Sequence, residues 1–176
     1  MSSPLPCHAR VHYSYSILLS ATLAKICTAP GQSPGIGVVV PFLLADASLE
    51  LTNTALTLIY LLATSLSALL LPFFGSLVSS RGVRLPAAGA SLGLSLSCFL
   101  LAACASRPAL FLAFFCLRFF GQGCLFTVAV TAINGWWVKK RGRAMGAAGA
   151  AVSAVMLGLL PLLLRRLIGD GGWRHA

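Results

Sequence analysis

Four stretches of this chain, Ile26 to Ala45, Leu51 to Ser80, Leu85 to Ser106 and Ala144 to Leu164, contain no Asp, Glu, Lys or Arg. A fifth, Pro108 to Val138, is interrupted by Arg118 alone. A helix needs about 20 apolar residues to cross a hydrocarbon core about 30 Å thick, and each stretch meets that length. They are continuously apolar and do not alternate with period two, which argues against a membrane barrel. The chain as a whole has too little polar surface to cover a water-soluble globule: charged residues make up 9% of it, against about 25% in ordinary soluble domains. The expected fold is all-α, a polytopic transmembrane helix bundle forming one domain or part of one. Five spans are predicted at about 17–44, 53–79, 85–105, 109–136 and 144–167, behind a tail at 1–16.

That tail carries His8, Arg10 and His12 but no compact apolar core ending in a small-residue cleavage site, so no signal peptide is expected. The net charge of +10 suggests nucleic acid at first sight. The basic residues, however, sit in short turns between spans, where topology explains them and no nucleic-acid surface is implied. Arg81 and Arg84 follow the second span, Lys139, Lys140, Arg141 and Arg143 follow the fourth, and Asp46 and Glu50 follow the first. Positive connections stay in the cytoplasm, which places the N terminus there too. Arg165 and Arg166, near the opposite side, run against the rule, though long side chains at a helix end reach the head groups. The six cysteines are scattered without paired spacing and are expected to act as small apolar residues.

The first span contains Pro30, Gly31, Pro34, Gly35, Gly37 and Pro41. Such breaks survive in lipid only where neighbouring helices or a water-filled cavity satisfy the freed backbone groups. Either the span lines a cavity, with Gln32 and Ser33 on the substrate path, or it is an ordinary kinked helix without a ligand. In the fifth span Gly142, Gly146, Ala150, Ala154 and Gly158 recur every four positions. They are expected to form a packing face that another helix approaches closely.

A charge inside a span costs about 2.5–3.5 kcal/mol on insertion scales, so Arg118 is expected to face the bundle interior. There it could attract an anion or serve a charge relay, or equally donate to helix carbonyls and lock the bundle. Lys25, about eight residues into the first predicted span, is expected to snorkel toward the interface; it is carried as a weaker pathway candidate. No Asp or Glu falls within a predicted span, which argues against a self-contained proton-coupled mechanism. There is no Gly-rich phosphate loop, no HExxH and no credible Ser, His and Asp set. No metal, cofactor or enzymatic activity is expected.

The segment GSLVSSRGVR, Gly75 to Arg84, resembles the signature G-x-L-x-D-x-x-G-x-R between the second and third spans of the major facilitator superfamily. Gly75, Leu77, Gly82 and Arg84 match, with Arg81 as a further basic residue; Ser79 stands at the family's acidic position. That departure removes a charge the resemblance would assign to a cytoplasmic gate latch. RFFGQG, Arg118 to Gly123, is similar to the family's fourth-span signature, an Arg followed by glycines, here Gly121 and Gly123. PGQSPG at Pro30 to Gly35 and NGWWVKKRGRAMGAAGA from Asn134 to Ala150, with GWR at Gly172 to Arg174, resemble the branch of oxalate:formate antiporters and monocarboxylate carriers. That branch joins its fourth and fifth spans by W-F-x-x-R-R-G-x-A-x-G; Trp137, Lys140, Arg141, Gly142, Ala144 and Gly146 match.

The resemblance implies five spans of a six-helix N-terminal half, facing a second half across a midplane site and rocking against it. It implies transport of a small organic anion, a monocarboxylate, with Arg118 and Pro30 to Gly35 on its path. The expected partners are the lipid bilayer and either the missing C-terminal half or another membrane subunit. By family habit the membrane is the plasma membrane. A rival expectation is a truncated chain that transports nothing and acts as a structural or regulatory partner through the Gly142 to Gly158 face. A channel or receptor explains the paired basic connections less well.

Overall fold

The computed structural model describes residues 7–46 and 51–171. Among the described residues all regular structure is helical: α1 (Cys7–Cys27), a 3-10 turn (Ala29–Gly31), α2 (Ser33–Ala45), α3 (Asn53–Arg81), α4 (Arg84–Ala102), α5 (Arg107–Cys116), α6 (Phe126–Trp136), α7 (Arg141–Ser153) and α8 (Leu160–Gly171). A π-helical stretch, Leu117–Leu125, joins α5 to α6, and another, Ala154–Leu159, joins α7 to α8. Each pair therefore forms one long rod. Four helices are long and apolar enough to cross a membrane: Asn53–Arg81, Arg84–Ala102, Arg107–Trp136 and Arg141–Ile168.

Local chemistry explains the boundaries. Thr52 and Ser106 cap α3 and α5 by accepting the N–H of Ala55 and Ala109, which satisfies one of the free donors that open any helix. Gly82 ends α3 at φ 74, a left-handed conformation that costs a side chain about 1–2 kcal/mol and glycine nothing. The sequence suggests a first span at 17–44 with a tail before it, but α1 already runs from Cys7, so residues 7–16 are helical. Trp137 holds this early part of α1, donating Nε1–H to the Ser14 carbonyl at 3.2 Å, while Tyr13 and Tyr15 meet Trp136 and Trp137 edge to face at 4.8 and 5.2 Å. Rings with one wet end belong at the level of the lipid head groups.

The expected break in the first span falls at the 3-10 turn. Pro30 sits inside the turn and Pro34 in the first turn of α2, where its missing N–H costs nothing. α1 packs on α6 and α7 and α2 on α8, so the two halves together follow the length of the α7–α8 rod.

The α5–α6 rod is the centre of the bundle. Half of its most apolar 18 residues are buried, against 11–22% in the other three long helices. α3 and α4 pack on its α5 and π-helical parts, and α1 on α6. Phe114, Leu117, Cys124 and Leu125 join Leu43, Leu56, Ala63, Ala90 and Leu94 in one core; Ala129 and Ile133 join Ala21, Ala144 and Ala148 in another. The outward faces are apolar as well: Leu58, Leu62, Leu69 and Phe73 on α3, Leu92, Leu96 and Phe99 on α4, and Leu157 and Leu162 on the last rod are exposed. Water would reject such a surface and lipid accepts it. The chain is an integral, multi-pass membrane protein.

The small-residue stripe of the fifth predicted span lies on the outward face of the α7–α8 rod. Gly142, Gly146, Ala150, Ala154 and Gly158 are all exposed, and a Cβ added at any of the three glycines would meet nothing within 4 Å. Ala144, Ala148 and Met156 are the buried residues of that rod's first two segments. Four-residue spacing defines a face but not the neighbour that covers it. The close backbone approach occurs elsewhere, where the 3-10 turn meets the π-helical stretch: a Cβ on Gly31 would lie 2.4 Å from the Leu117 carbonyl oxygen and 3.1 Å from Gly121 Cα.

Gly31→Ala should therefore destabilise the bundle by about 1–3 kcal/mol through overpacking against backbone. Gly146→Ala should change stability by less than about 0.5 kcal/mol. Thermal unfolding in detergent measures both, and equal shifts would refute the contact.

Candidate functional site

Arg118 lies at the start of the π-helical stretch and is buried. π-Helical turns in α-helices are rare and concentrate at functional sites. The guanidinium has five N–H donors and accepts nothing, so in a dry bundle each donor has to find an oxygen. Nη1–H donates to the Gly31 carbonyl at 3.1 Å and to Gln122 Oε1, one turn along the same rod. Nε–H donates to Thr64 Oγ1 at 3.2 Å, and Nη2–H reaches Ser33 Oγ at a longer 3.4 Å. The Tyr60 ring lies under the guanidinium, 4.7 Å from Cζ. Hydrogen bonds to a charged group contribute about 1.5–3 kcal/mol each, so two of them already offset the insertion cost of the charge.

The break in the first helix makes this possible. Gly31 belongs to the 3-10 turn, and its carbonyl points to Arg118. Gln32 and Ser33, expected on the path, flank the same place. Gln32 Nε2–H donates to Thr28 Oγ1 at 3.0 Å, and Ser33 Oγ lies 3.3 Å from the Tyr60 hydroxyl. Thr64 and Tyr60 of α3 complete the set. Residue spacing gives no signal for these two, since a Tyr and a Thr on an apolar helix read equally well as an interface anchor and a small filler.

Two cavities open beside this cluster. One, of about 360 Å³, is walled by Gln32, Thr64, Ser67, Leu71, Arg118, Gln122 and Phe126 among others. The second, of about 280 Å³, is walled by Ser33, Ile36, Val40, Asn53, Thr57, Tyr60 and Phe114 among others. A third, of about 150 Å³, lies among Pro30, Ile36, Cys98, Leu101, Phe114 and Leu160 and has no charged lining residue. The chain's three acidic residues, Asp46, Glu50 and Asp170, all fall outside the stretch from α3 to Ile168. The Arg118 cavity has no carboxylate in its wall.

Lys25 does not snorkel. Only 4% exposed, it lies near the inner end of a helix that starts ten residues before the predicted span, and its Nζ sits 4.8 Å from the centre of the Phe126 ring. Phe126 walls the Arg118 cavity, so Lys25 is held one ring away from it.

The other signature residues lie at one end of the bundle. Ser79, at the acidic position of the resemblance, turns its hydroxyl back to the Gly75 carbonyl at 3.1 Å. Leu77, Arg81, Gly82 and Arg84 are exposed, as are Lys139, Lys140, Arg141 and Gly142 at the neighbouring connection. Arg141 Nη2–H reaches the Asn134 carbonyl at 3.4 Å. Gly121 and Gly123 are inside, Gly121 against Gly31 and Gly123 against the Leu71 side chain. Among the described residues Cys27, Cys98, Cys104, Cys116 and Cys124 form no disulfide, and no group of His, Cys, Asp or Glu able to hold a metal occurs.

Comparison with known proteins gives one family: the model described as Major Facilitator Superfamily matches residues 17–176. No curated protein and no solved structure matches the chain.

Arg118→Met should lower the unfolding midpoint, because the Gly31 carbonyl and the Thr64 and Gln122 side chains lose their shared donor, at about 1–3 kcal/mol per orphaned group. Lys25→Met should raise it or leave it unchanged, since the ammonium it removes meets a ring face and no oxygen. Melting curves of the two variants side by side check the opposite signs.

Proposed function

The chain belongs to the major facilitator superfamily, and from that premise we propose that it forms part of a secondary transporter that moves a small organic anion by alternating access. One observation carries this reading: a guanidinium faces a cavity of about 360 Å³ whose other polar lining groups are neutral, Gln32, Thr64, Ser67 and Gln122. A cation in a low-dielectric wall with no carboxylate beside it attracts an anion and repels a cation. The cavity is of the size that suits a few-carbon carboxylate. The broken helix bearing Pro30 to Gly35, with Gln32 and Ser33, forms one side of the path, and interrupted helices at the midplane are where transporters of this kind hold substrate.

Within the superfamily we place the chain in the branch of oxalate:formate antiporters and monocarboxylate carriers, with a monocarboxylate as substrate. Support comes from PGQSPG and from the Trp137 to Gly146 pattern. The opposing wall is supplied by a second helix bundle. The bundle sits in the plasma membrane with its N terminus and the connections bearing Arg81, Arg84 and Lys139 to Arg143 in the cytoplasm. Ser79 leaves those connections without the acidic latch of the resemblance, so closure on that side depends on other contacts.

A second reading, a structural partner without transport, is favoured by the exposed Gly142, Gly146, Ala150, Ala154 and Gly158 stripe, a face fit for close packing with another membrane helix.

Uptake of labelled acetate or lactate into vesicles holding the native full-length protein separates the two. The transporter reading expects saturable flux, reduced at least about tenfold in Arg118→Lys, because one ammonium cannot replace the planar fork that both ties Gly31 and offers a free edge. Absence of flux in the unsubstituted protein favours the structural partner. For topology, a peptide tag at the N terminus and a cysteine at Lys139 should both be reached only after the cytoplasmic face is opened.

A further inference from the structure

The two polar cavities follow one stripe of α3. Asn53, Thr57 and Tyr60 wall the smaller, and Thr64, Ser67 and Leu71 the larger. Steps of three and four residues keep these positions on one face, and one turn, about 6 Å of rise, separates Tyr60 from Thr64. Both flanking helices show the same order. Phe114 walls the smaller cavity, and Arg118, Gln122 and Phe126 the larger; from the first helix Ile36 and Val40 wall the smaller, and Gln32 the larger. The two cavities therefore lie one after the other along the bundle.

A single layer of contacts lies between them. Ser33 Oγ is 3.3 Å from the Tyr60 hydroxyl and accepts from Arg118 Nη2 at 3.4 Å, with the Tyr60 ring under the guanidinium. Phe114 fixes that ring from the other side, edge to face at 5.8 Å.

We propose that the smaller chamber is a second, charge-free resting site for the transported carboxylate, and that Tyr60, bonded to Ser33, is the partition that sets the largest anion able to pass. The proposal rests on the reading of the larger chamber as an anion site. The two polar contacts of Ser33 are longer than the other hydrogen bonds of Arg118 and are the easiest to exchange. A carboxylate on Nη2 replaces the 3.4 Å contact with a charge-assisted bond of about 2.7–2.9 Å. That frees Ser33 from the guanidinium, and the layer opens once the Tyr60 ring swings. Beyond it the carboxylate meets neutral groups only, Asn53, Thr57 and the Tyr60 hydroxyl. Passage requires such a step from a strong site to a weak one, since an anion held only by Arg118 would not leave.

The test compares acetate and benzoate uptake into vesicles containing the native full-length protein, its Tyr60→Leu, Tyr60→Ala and Tyr60→Phe variants and Arg118→Met. The benzoate-to-acetate rate ratio should rise about tenfold or more in Tyr60→Leu and Tyr60→Ala, the scale on which pocket volume discriminates substrates. In Tyr60→Phe, where the ring stays, it should remain within about threefold. Two small side chains are used so that poor folding of one leaves the other to decide. A ratio unchanged in both, with acetate uptake still abolished by Arg118→Met, overturns the partition alone. Acetate uptake untouched by Arg118→Met overturns the anion reading and the partition with it.

Discussion

Everything in this bundle depends on one guanidinium that has to be hydrogen-bonded without water. Arg118 finds its oxygens on three separate helices: Gly31 on the broken first helix, Thr64 on α3 and Gln122 on its own rod. In a regular helix each interior carbonyl accepts the N–H four residues on; at the 3-10 turn and the extended Gln32 that ladder is interrupted, and the Gly31 carbonyl accepts from Arg118. The break in the first helix and the arginine of the α5–α6 rod are two halves of one arrangement. The two backbones also come together here: a Cβ added at Gly31 would lie 2.4 Å from the Leu117 carbonyl oxygen.

Much of this was legible in the residues themselves. Charge-free length identifies the long helices because lipid imposes a length and a polarity at once, and the interior position of Arg118 follows from the cost of the alternative. The Gly121 of RFFGQG is a motif residue whose purpose becomes visible only in three dimensions, where it lies against Gly31. Tyr60 and Thr64 were not legible. Both sit on α3 among leucines, and nothing in spacing separates a residue that faces a guanidinium from one that faces lipid.

Depth was the quantity that the residues misrepresented. Lys25 looked close to an interface because the first span was counted from residue 17, whereas α1 starts at Cys7 and continues through Tyr13 and Tyr15, which are anchored by Trp136 and Trp137. Counting from the true helix start puts Lys25 inside. The stripe from Gly142 to Gly158 is a different matter, because small residues at four-residue spacing permit a close neighbour without naming one. Within this bundle the alanines at 144 and 148 take the inner side and the stripe faces outward.

The contacts of Arg118 hold the bundle together, and their chemistry also bears on the proposed anion site. A lock made with Asp or Glu would cancel the charge and leave the cavity electrically silent. The partners around this guanidinium are a carbonyl, an amide oxygen, two hydroxyls and a ring face. Dipoles of this kind stabilise a cation in place but subtract nothing from its net charge, so a full unit of positive potential remains at the cavity wall. The same hydrogen bonds that make burial tolerable also hold the fork rigid, so under the proposed function an anion meets donors already oriented and loses little in ordering them. On that reading structure and recognition are served by one set of contacts, and the longest hydrogen bond among them, from Nη2 to Ser33 at 3.4 Å, is the one a carboxylate takes over at least cost to the rest.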